Sequence, residues 1–140
     1  MTSGLTNDEL ARLEEFLEPS RIVVVATIGG TGLPQLTPNW YKFADGRLTI
    51  STTKDRIKYK NLSRDPRMTV CIYSEPRAAD YVVLSGRATI MDGEEIWPYT
   101  VAVIERYVPE GTVPERIERM RTEGRVIISL EPERVRFRNP

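Results

Sequence analysis

The chain has 140 residues, 40% of them hydrophobic, and equal numbers of basic and acidic side chains, so its formal net charge is zero. That length supports one domain with a real core, and the neutral balance argues against a dedicated nucleic-acid binder. Histidine is absent and cysteine occurs once, as Cys71, which excludes Ser-His-Asp and Cys-His catalysis, an internal disulfide, the usual metal centres and a His-ligated haem. Chemistry must come from a borrowed cofactor, from carboxylates, or not at all. The longest apolar run, 22–26, is far too short for a membrane span, and the polar start carries no secretory signal. With a lone thiol, this predicts a cytoplasmic location.

Thr6 followed by Glu9 forms a capping-box pattern, and Leu10, Leu13, Phe16 and Leu17 recur at helical spacing before Pro19, predicting a packing helix. Segment 21–27 (RIVVVAT) is β-branched and almost uniformly apolar, as expected of a central strand buried on both faces. Gly29, Gly30 and Gly32 are followed by neither a helical pattern nor Lys-Ser/Thr, so they fit a hairpin turn rather than a phosphate loop. Segment 35–43 resumes as a strand with Gln35, Thr37, Asn39 and Tyr41 on one face and Leu36, Pro38 and Trp40 on the other. The polar face suits either solvent or a heteroaromatic ring with carbonyl and N–H edges. Asp45-Gly46 then turns the chain into a strand over 48–51. Three successive antiparallel strands, a meander, are the economical arrangement.

The stretch TISTTKDRIKYKNL, 49–62, organises the rest. It begins with the two-residue period of a strand, turns at Thr52, Thr53, Lys54 and Asp55, and continues as a short helix ending before Asp65-Pro66. Hydroxyls therefore stand beside a helix N-terminus, with Lys54, Arg56, Lys58 and Lys60 crowded together. Free backbone N–H groups, the helix dipole and cationic side chains all favour an anion there. All four lysines of the chain lie in 42–60. The pattern reads as a phosphate site or as a solvated helix face.

Segment 68–73 is a further strand, with Cys71 a buried structural thiol rather than a nucleophile. Segment 81–91 is another, with Gly86 marking a bulge or a close backbone approach. Asp92 and Glu95 signal a cap for a helix over 94–108, whose Trp97, Val101, Ile104 and Val108 share one apolar face for core or dimer packing. Thr112 caps a third helix whose Glu115, Arg116, Glu118, Arg119 and Arg121 form a mixed-charge solvated face. Two strand-like segments, 125–130 and 133–138, flank Pro132. Arg134, Arg136 and Arg138 form a basic ladder in the second, to be met by acids on a neighbouring strand or by a bound anion.

Six or seven strands with helices at the ends fit a mainly β fold, a small closed or split β-barrel, over a single domain spanning 1–140. The runs RIVVVAT, GLPQLTPNWY, DGRLTISTT and RIKYKNLSRDPR resemble the pyridoxamine-5′-phosphate-oxidase-like, FMN-binding split β-barrel proteins. Within them the chain is most similar to the flavin/deazaflavin-dependent oxidoreductases, the branch that includes coenzyme F420-dependent reductases. The resemblance covers 21–91 best and centres on R-x-K-x-x-N-L after S-T-T. It implies a homodimer with two cofactor sites at the subunit interface.

By this resemblance Ser51, Thr52, Arg56 and Lys58 hold the phosphate of F420 or, alternatively, FMN, and Gln35 and Thr37 face the ring. Thr53 and Lys60 complete the candidate cofactor-binding set, and Lys54 and Lys60 add charge suited to the long anionic F420 tail. Asn61 and Leu62 fix the short helix. The ending RVRFRNP lacks the Trp of the vitamin B6 substrate motif, which argues against pyridoxamine-phosphate oxidation. The resemblance implies an F420-dependent reductase passing a hydride to an unsaturated small-molecule acceptor, without metal, membrane or nucleic-acid partners. An FMN-dependent enzyme and a non-catalytic F420 or FMN carrier are the alternatives. No catalytic residue is fixed; Tyr41, Tyr81, Arg56 or ordered water could donate the proton that follows hydride transfer.

Overall fold

A computed structural model describes residues 4–139. Its strands β1 (Val23–Ile28), β2 (Pro34–Asn39), β3 (Lys42–Ala44), β4 (Arg47–Thr53), β5 (Arg67–Tyr73), β6 (Tyr81–Met91) and β7 (Arg125–Arg138) form one sheet in the order β2-β1-β5-β6-β7-β4-β3. Every pairing is antiparallel. Four helices accompany it: α1 (Asn7–Leu17), α2 (Ile57–Arg64), α3 (Trp97–Ile104) and α4 (Val113–Met120). β2 and β3 are the two edges of the sheet, yet only Trp40 and Tyr41 separate them in the chain. Three Cα steps reach at most roughly 11 Å, so the edges must approach each other there. The sheet curls into a barrel split along that seam, the fold expected from the sequence.

The seam corrects the expected meander. β1–β2 and β3–β4 are hairpins, the second turning through Asp45 and Gly46 at φ 54° and 74°, but β2 and β3 do not pair. Pro34 and Pro38 have no N–H to offer, which suits β2 to an edge. Tyr41 then pulls the chain inward: it is 0% exposed, and its hydroxyl lies 3.0 Å from the Leu17 carbonyl and 2.9 Å from that of Pro19. Arg106 donates to the Glu18, Leu17 and Pro19 carbonyls, and the Tyr107 hydroxyl donates to that of Arg21 at 2.6 Å. Burial pushes the Tyr41 phenol up to about 12.

The interior is filled from alternate positions of the strands: Val23 and Val25, Leu48 and Ile50, Met68, Val70 and Ile72, Val82 and Leu84, Ile128 and Leu130. α1 closes one end with Leu13, Phe16 and Leu17, its start fixed by the reciprocal bonds of Thr6 and Glu9. β1 is not buried on both faces as its sequence suggests; Val23, Val25 and Thr27 are buried, whereas Val24, Ala26 and Ile28 are half-buried. β7 runs unbroken through Pro132, because a register shift between Ser85 and Gly86 sets Gly86 against the residue that lacks an N–H. A Cβ on Gly86 would lie 2.8 Å from the Glu131 carbonyl oxygen, so close approach of the backbones requires glycine there.

Two caps differ from expectation. Asp92 accepts from the Gly93 amide at 2.8 Å and pairs with Lys54 at 2.6 Å, and α3 ends at Ile104 after a short 3-10 turn rather than running to 108. The Thr112 hydroxyl donates to the Pro109 carbonyl instead of capping α4. The apolar stripe of α3 does pack as core: Ile104, with Trp97, Val101 and Val108, meets Ile117 and Met120 of α4 beneath Trp40. Arg134, Arg136 and Arg138 face Ser85, Val83 and Tyr81 across the ladder, so the expected acid partners are not supplied by β6. Among the described residues no helix is long and apolar enough to cross a membrane.

Candidate functional site

β3 pairs with β4 only as far as Thr49, whereas β4 continues to Thr53 with β7 alone beside it. The open edge of β4 and the end of β2 bound a cavity of about 390 Å³. Its walls are Thr37, Pro38 and Asn39 of β2, Ser51, Thr52 and Thr53 of β4, Arg56 and Lys58 at the start of α2, and Arg125 of β7. The structure thus brings together Thr37, Ser51, Thr52, Thr53, Arg56 and Lys58 of the candidate set.

The position of Lys58 follows from helix geometry. Lys58, Asn61 and Leu62 recur at i, i+3 and i+4, and all three are buried on the side of α2 that packs on β1. Asn61 locks that face by donating to the Thr27 hydroxyl at 3.0 Å, and Arg64 donates to the Ile28 carbonyl at 2.9 Å. Lys58 is 4% exposed. Among the described residues neither Lys58 nor Arg56 forms a hydrogen bond or a salt bridge through its side chain. Burial, and then the neighbouring Arg56 charge, push the Lys58 ammonium below its ordinary value. α2 opens at Arg56 with no side-chain cap, so its first amides and dipole add to the positive field. A cavity with buried unmatched positive charge and hydroxyl donors at its wall is suited to an oxyanion.

Other candidates lie elsewhere. Gln35 is half-buried on β2 and accepts from the Thr27 hydroxyl at 3.3 Å, outside the cavity wall. Lys60 is exposed on the outer side of α2. The charge of Lys54 is matched by Asp92, and the Thr53 hydroxyl is bound to the Asp55 carboxylate. Tyr41 is sealed in the core, which removes it as a proton donor to the cleft, and Tyr81 is not part of the cavity wall. Cys71 is half-buried on β5, where burial raises its thiol. Arg125 is the addition that local reasoning missed. It enters through the Thr53–Arg125 register of β4 and β7 and places Nη1 3.4 Å from the Ser51 hydroxyl. No spacing signal links positions so far apart in the chain.

A split β-barrel with a cationic cleft at its seam defines the class of protein. The chain belongs to the pyridoxamine 5′-phosphate oxidase family, whose model matches residues 10–139. No curated protein matches it. Among solved structures it is similar to the conserved hypothetical protein Rv2991 from Mycobacterium tuberculosis, at 29% identity and a TM-score of 0.76 over 95% of this chain and 84% of that one. An F420 reductase shares the fold at 21% identity and a TM-score of 0.69, over 88% of this chain and 94% of its own. So does a heme binding protein from Mycobacterium smegmatis, at 21% identity and a TM-score of 0.70, over 95% of this chain and 54% of its own.

Proposed function

We propose that this chain is an F420-dependent oxidoreductase acting on an unsaturated small molecule of enone, quinone or tetrapyrrole type. The observation that carries the reading is the pair of cations at the seam, Arg56 and Lys58, without partners among the described residues and beside Ser51, Thr52 and Arg125. These residues fit a phosphate: Arg56 offers a planar fork, Lys58 a desolvated point charge, and the hydroxyls directional bonds, while Arg125, tied to Glu123 and Ser51, adds positive charge at the wall. Thr37 on β2 orients the ring edge, and Gln35, one turn of the strand pleat further on, borders the same face. When bound, the reduced deazaflavin supplies the hydride, and the protein contributes position and electrostatics. The deazaflavin is put first because an F420 reductase has the same fold, with FMN the alternative that the titration below separates.

A second copy of the chain completes the site in this reading. Leu33, Leu36 and Ile57, at the β1–β2 turn, on β2 and at the start of α2, are 72%, 59% and 57% exposed, as apolar side chains awaiting a partner subunit would be. Light scattering is expected to give twice the chain mass, and Leu36→Glu with Ile57→Glu to give the single-chain mass. The enzyme itself works in the cytoplasm. The deciding experiment is a side-by-side calorimetric titration of apo-protein with F420 and FMN, followed by turnover of an enone and quinone panel with reduced F420. Tight F420 binding with reduction of an acceptor is the expected result. Preference for FMN moves the chain to the flavin branch, tight binding without turnover makes it a carrier, and binding of neither removes the cofactor reading.

A further inference from the structure

The final strand has a neighbour on only one side for its last turns of pleat. Beyond Leu130 the pairing of β7 with β4 ends, while β6 continues alongside as far as Arg138. Among the described residues no strand meets the second edge of 134–138, and no backbone hydrogen bond outside the ladders involves that stretch. A cavity of about 410 Å³ opens there, walled by 133–136 of β7, by Val83 and Ser85 of β6 and by the start of α1. Successive strand residues point to opposite faces, so a wall built from 133–136 includes the strand's edge. Val135 and Phe137 turn inward onto the core, which leaves Arg134, Arg136 and Arg138 exposed on the outer face. None of the three forms a salt bridge or a side-chain hydrogen bond among the described residues. The carboxylates at the cavity, Glu9 and Glu133, do not pair with them, and Glu9 is bound to the Thr6 amide at 2.9 Å. Alternate residues of a strand repeat every 6.7 Å or so, about twice the rise per residue. The ladder is therefore a regular row of positive charge beside an unpaired backbone edge.

We propose that this edge takes an added strand, an extended acidic segment of another protein with carboxylates at alternate positions. The backbone edge supplies ladder hydrogen bonds, and the three arginines supply selectivity, because opposite charges facing each other across two strands attract. The same row acts against other occupants. A second copy pairing antiparallel through this edge, with both outer faces on one side, would set arginine against arginine. An uncharged strand would leave the row unmatched, which is how charged edges deter indiscriminate pairing. The docking edge stands apart from the cofactor cleft, whose walls come from β2, β4, the start of α2 and Arg125.

The test titrates isotope-labelled protein, followed by heteronuclear NMR, with an end-blocked peptide that alternates threonine and glutamate. Three controls have the same length: one with the glutamates contiguous, one N-methylated at every amide, and one alternating threonine and lysine. The alternating acidic peptide is expected to shift the amides of 134–138, and the contiguous and N-methylated peptides to bind about tenfold more weakly. Arg134→Glu, Arg136→Glu and Arg138→Glu combined should lose the glutamate peptide and accept the lysine one, a reversal that a merely structural role would not produce. Equal binding of the contiguous or the N-methylated peptide marks a diffuse attraction for anions and overturns strand addition. So does the absence of any shift at 134–138 with millimolar peptide. Shifts that fade as the protein is concentrated and its scattering mass rises give the edge to a second copy and also overturn it. If the triple variant does not fold, Arg136→Gln at its exposed position decides: about threefold weaker glutamate-peptide binding supports the ladder, and unchanged binding overturns it.

Discussion

Two polar clusters, centred on buried Tyr41 and buried Lys58, flank the seam of this barrel, and they differ in what satisfies them. Around Tyr41 the hydroxyls of Tyr41 and Tyr107 and the Arg106 guanidinium are spent on the carbonyls of Leu17, Glu18, Pro19 and Arg21, and Arg106 Nε is left without a partner among the described residues. Around Lys58, Ser51, Thr52 and Arg56 line one cavity, and Lys58 and Arg56 have no protein partner among the described residues. The first cluster joins α1 to the β2–β3 step and is architecture. In the proposed reading the second gains its partners from a bound phosphate. Both are polar and each has a buried centre, Tyr41 and Lys58; completeness of partners separates them.

Substitutions can break this contrast at either end. Tyr41→Ala removes a fully buried aromatic and is expected to cost about 3–5 kcal/mol in urea unfolding, the largest effect. Arg56→Ala with Lys58→Ala is expected to leave the melting temperature intact and to weaken F420 about a hundredfold, as two charge-assisted contacts would. Unaltered binding in that double variant would remove the phosphate site. Tyr41→Phe deletes only the hydroxyl and should cost about 1–2 kcal/mol while leaving ligand binding as it was.

Lys58→Met sharpens the comparison from the other side. Replacing a buried unmatched charge should stabilise apo-protein by roughly 1 kcal/mol while cutting ligand affinity. The pH dependence has a definite sign. The folded value of Lys58 lies below 10.5, so between the two values the unfolded chain holds more protons and apo stability rises with pH; Lys58→Met abolishes that rise. Anion affinity should fall as pH climbs through the lowered Lys58 value, earlier than an exposed lysine would allow. The smallest effect is expected for Asp92→Asn, which frees the exposed Lys54 and should move neither the melting temperature nor the F420 titration.

Local chemistry was legible where neighbours in sequence decide the outcome. The Thr6–Glu9 box opened α1, Asp45-Gly46 made its hairpin, 81–91 became β6, and Gly86 marked the bulge. The meander failed because periodicity fixes which face a side chain occupies, not which edge a strand joins. Pro132 looked like a strand break because the bulge that accommodates it lies on β6, a different segment. The cleft was legible through the cluster 51–58, but Arg125 reached it only through tertiary packing.

The two-residue step at Trp40 and Tyr41 makes chain length a ruler for the site. Closure of the barrel and the gap between β2 and β4 depend on the same short span, with Asn39 and Trp40 on the walls it holds apart. One residue inserted between Trp40 and Tyr41 adds up to about 3.4 Å of reach, a large part of one strand spacing of about 4.8 Å. Both hairpins would survive such an insertion, since neither contains the step. The width of this cavity is therefore open to recalibration by a single codon, without any change to the side chains that line it.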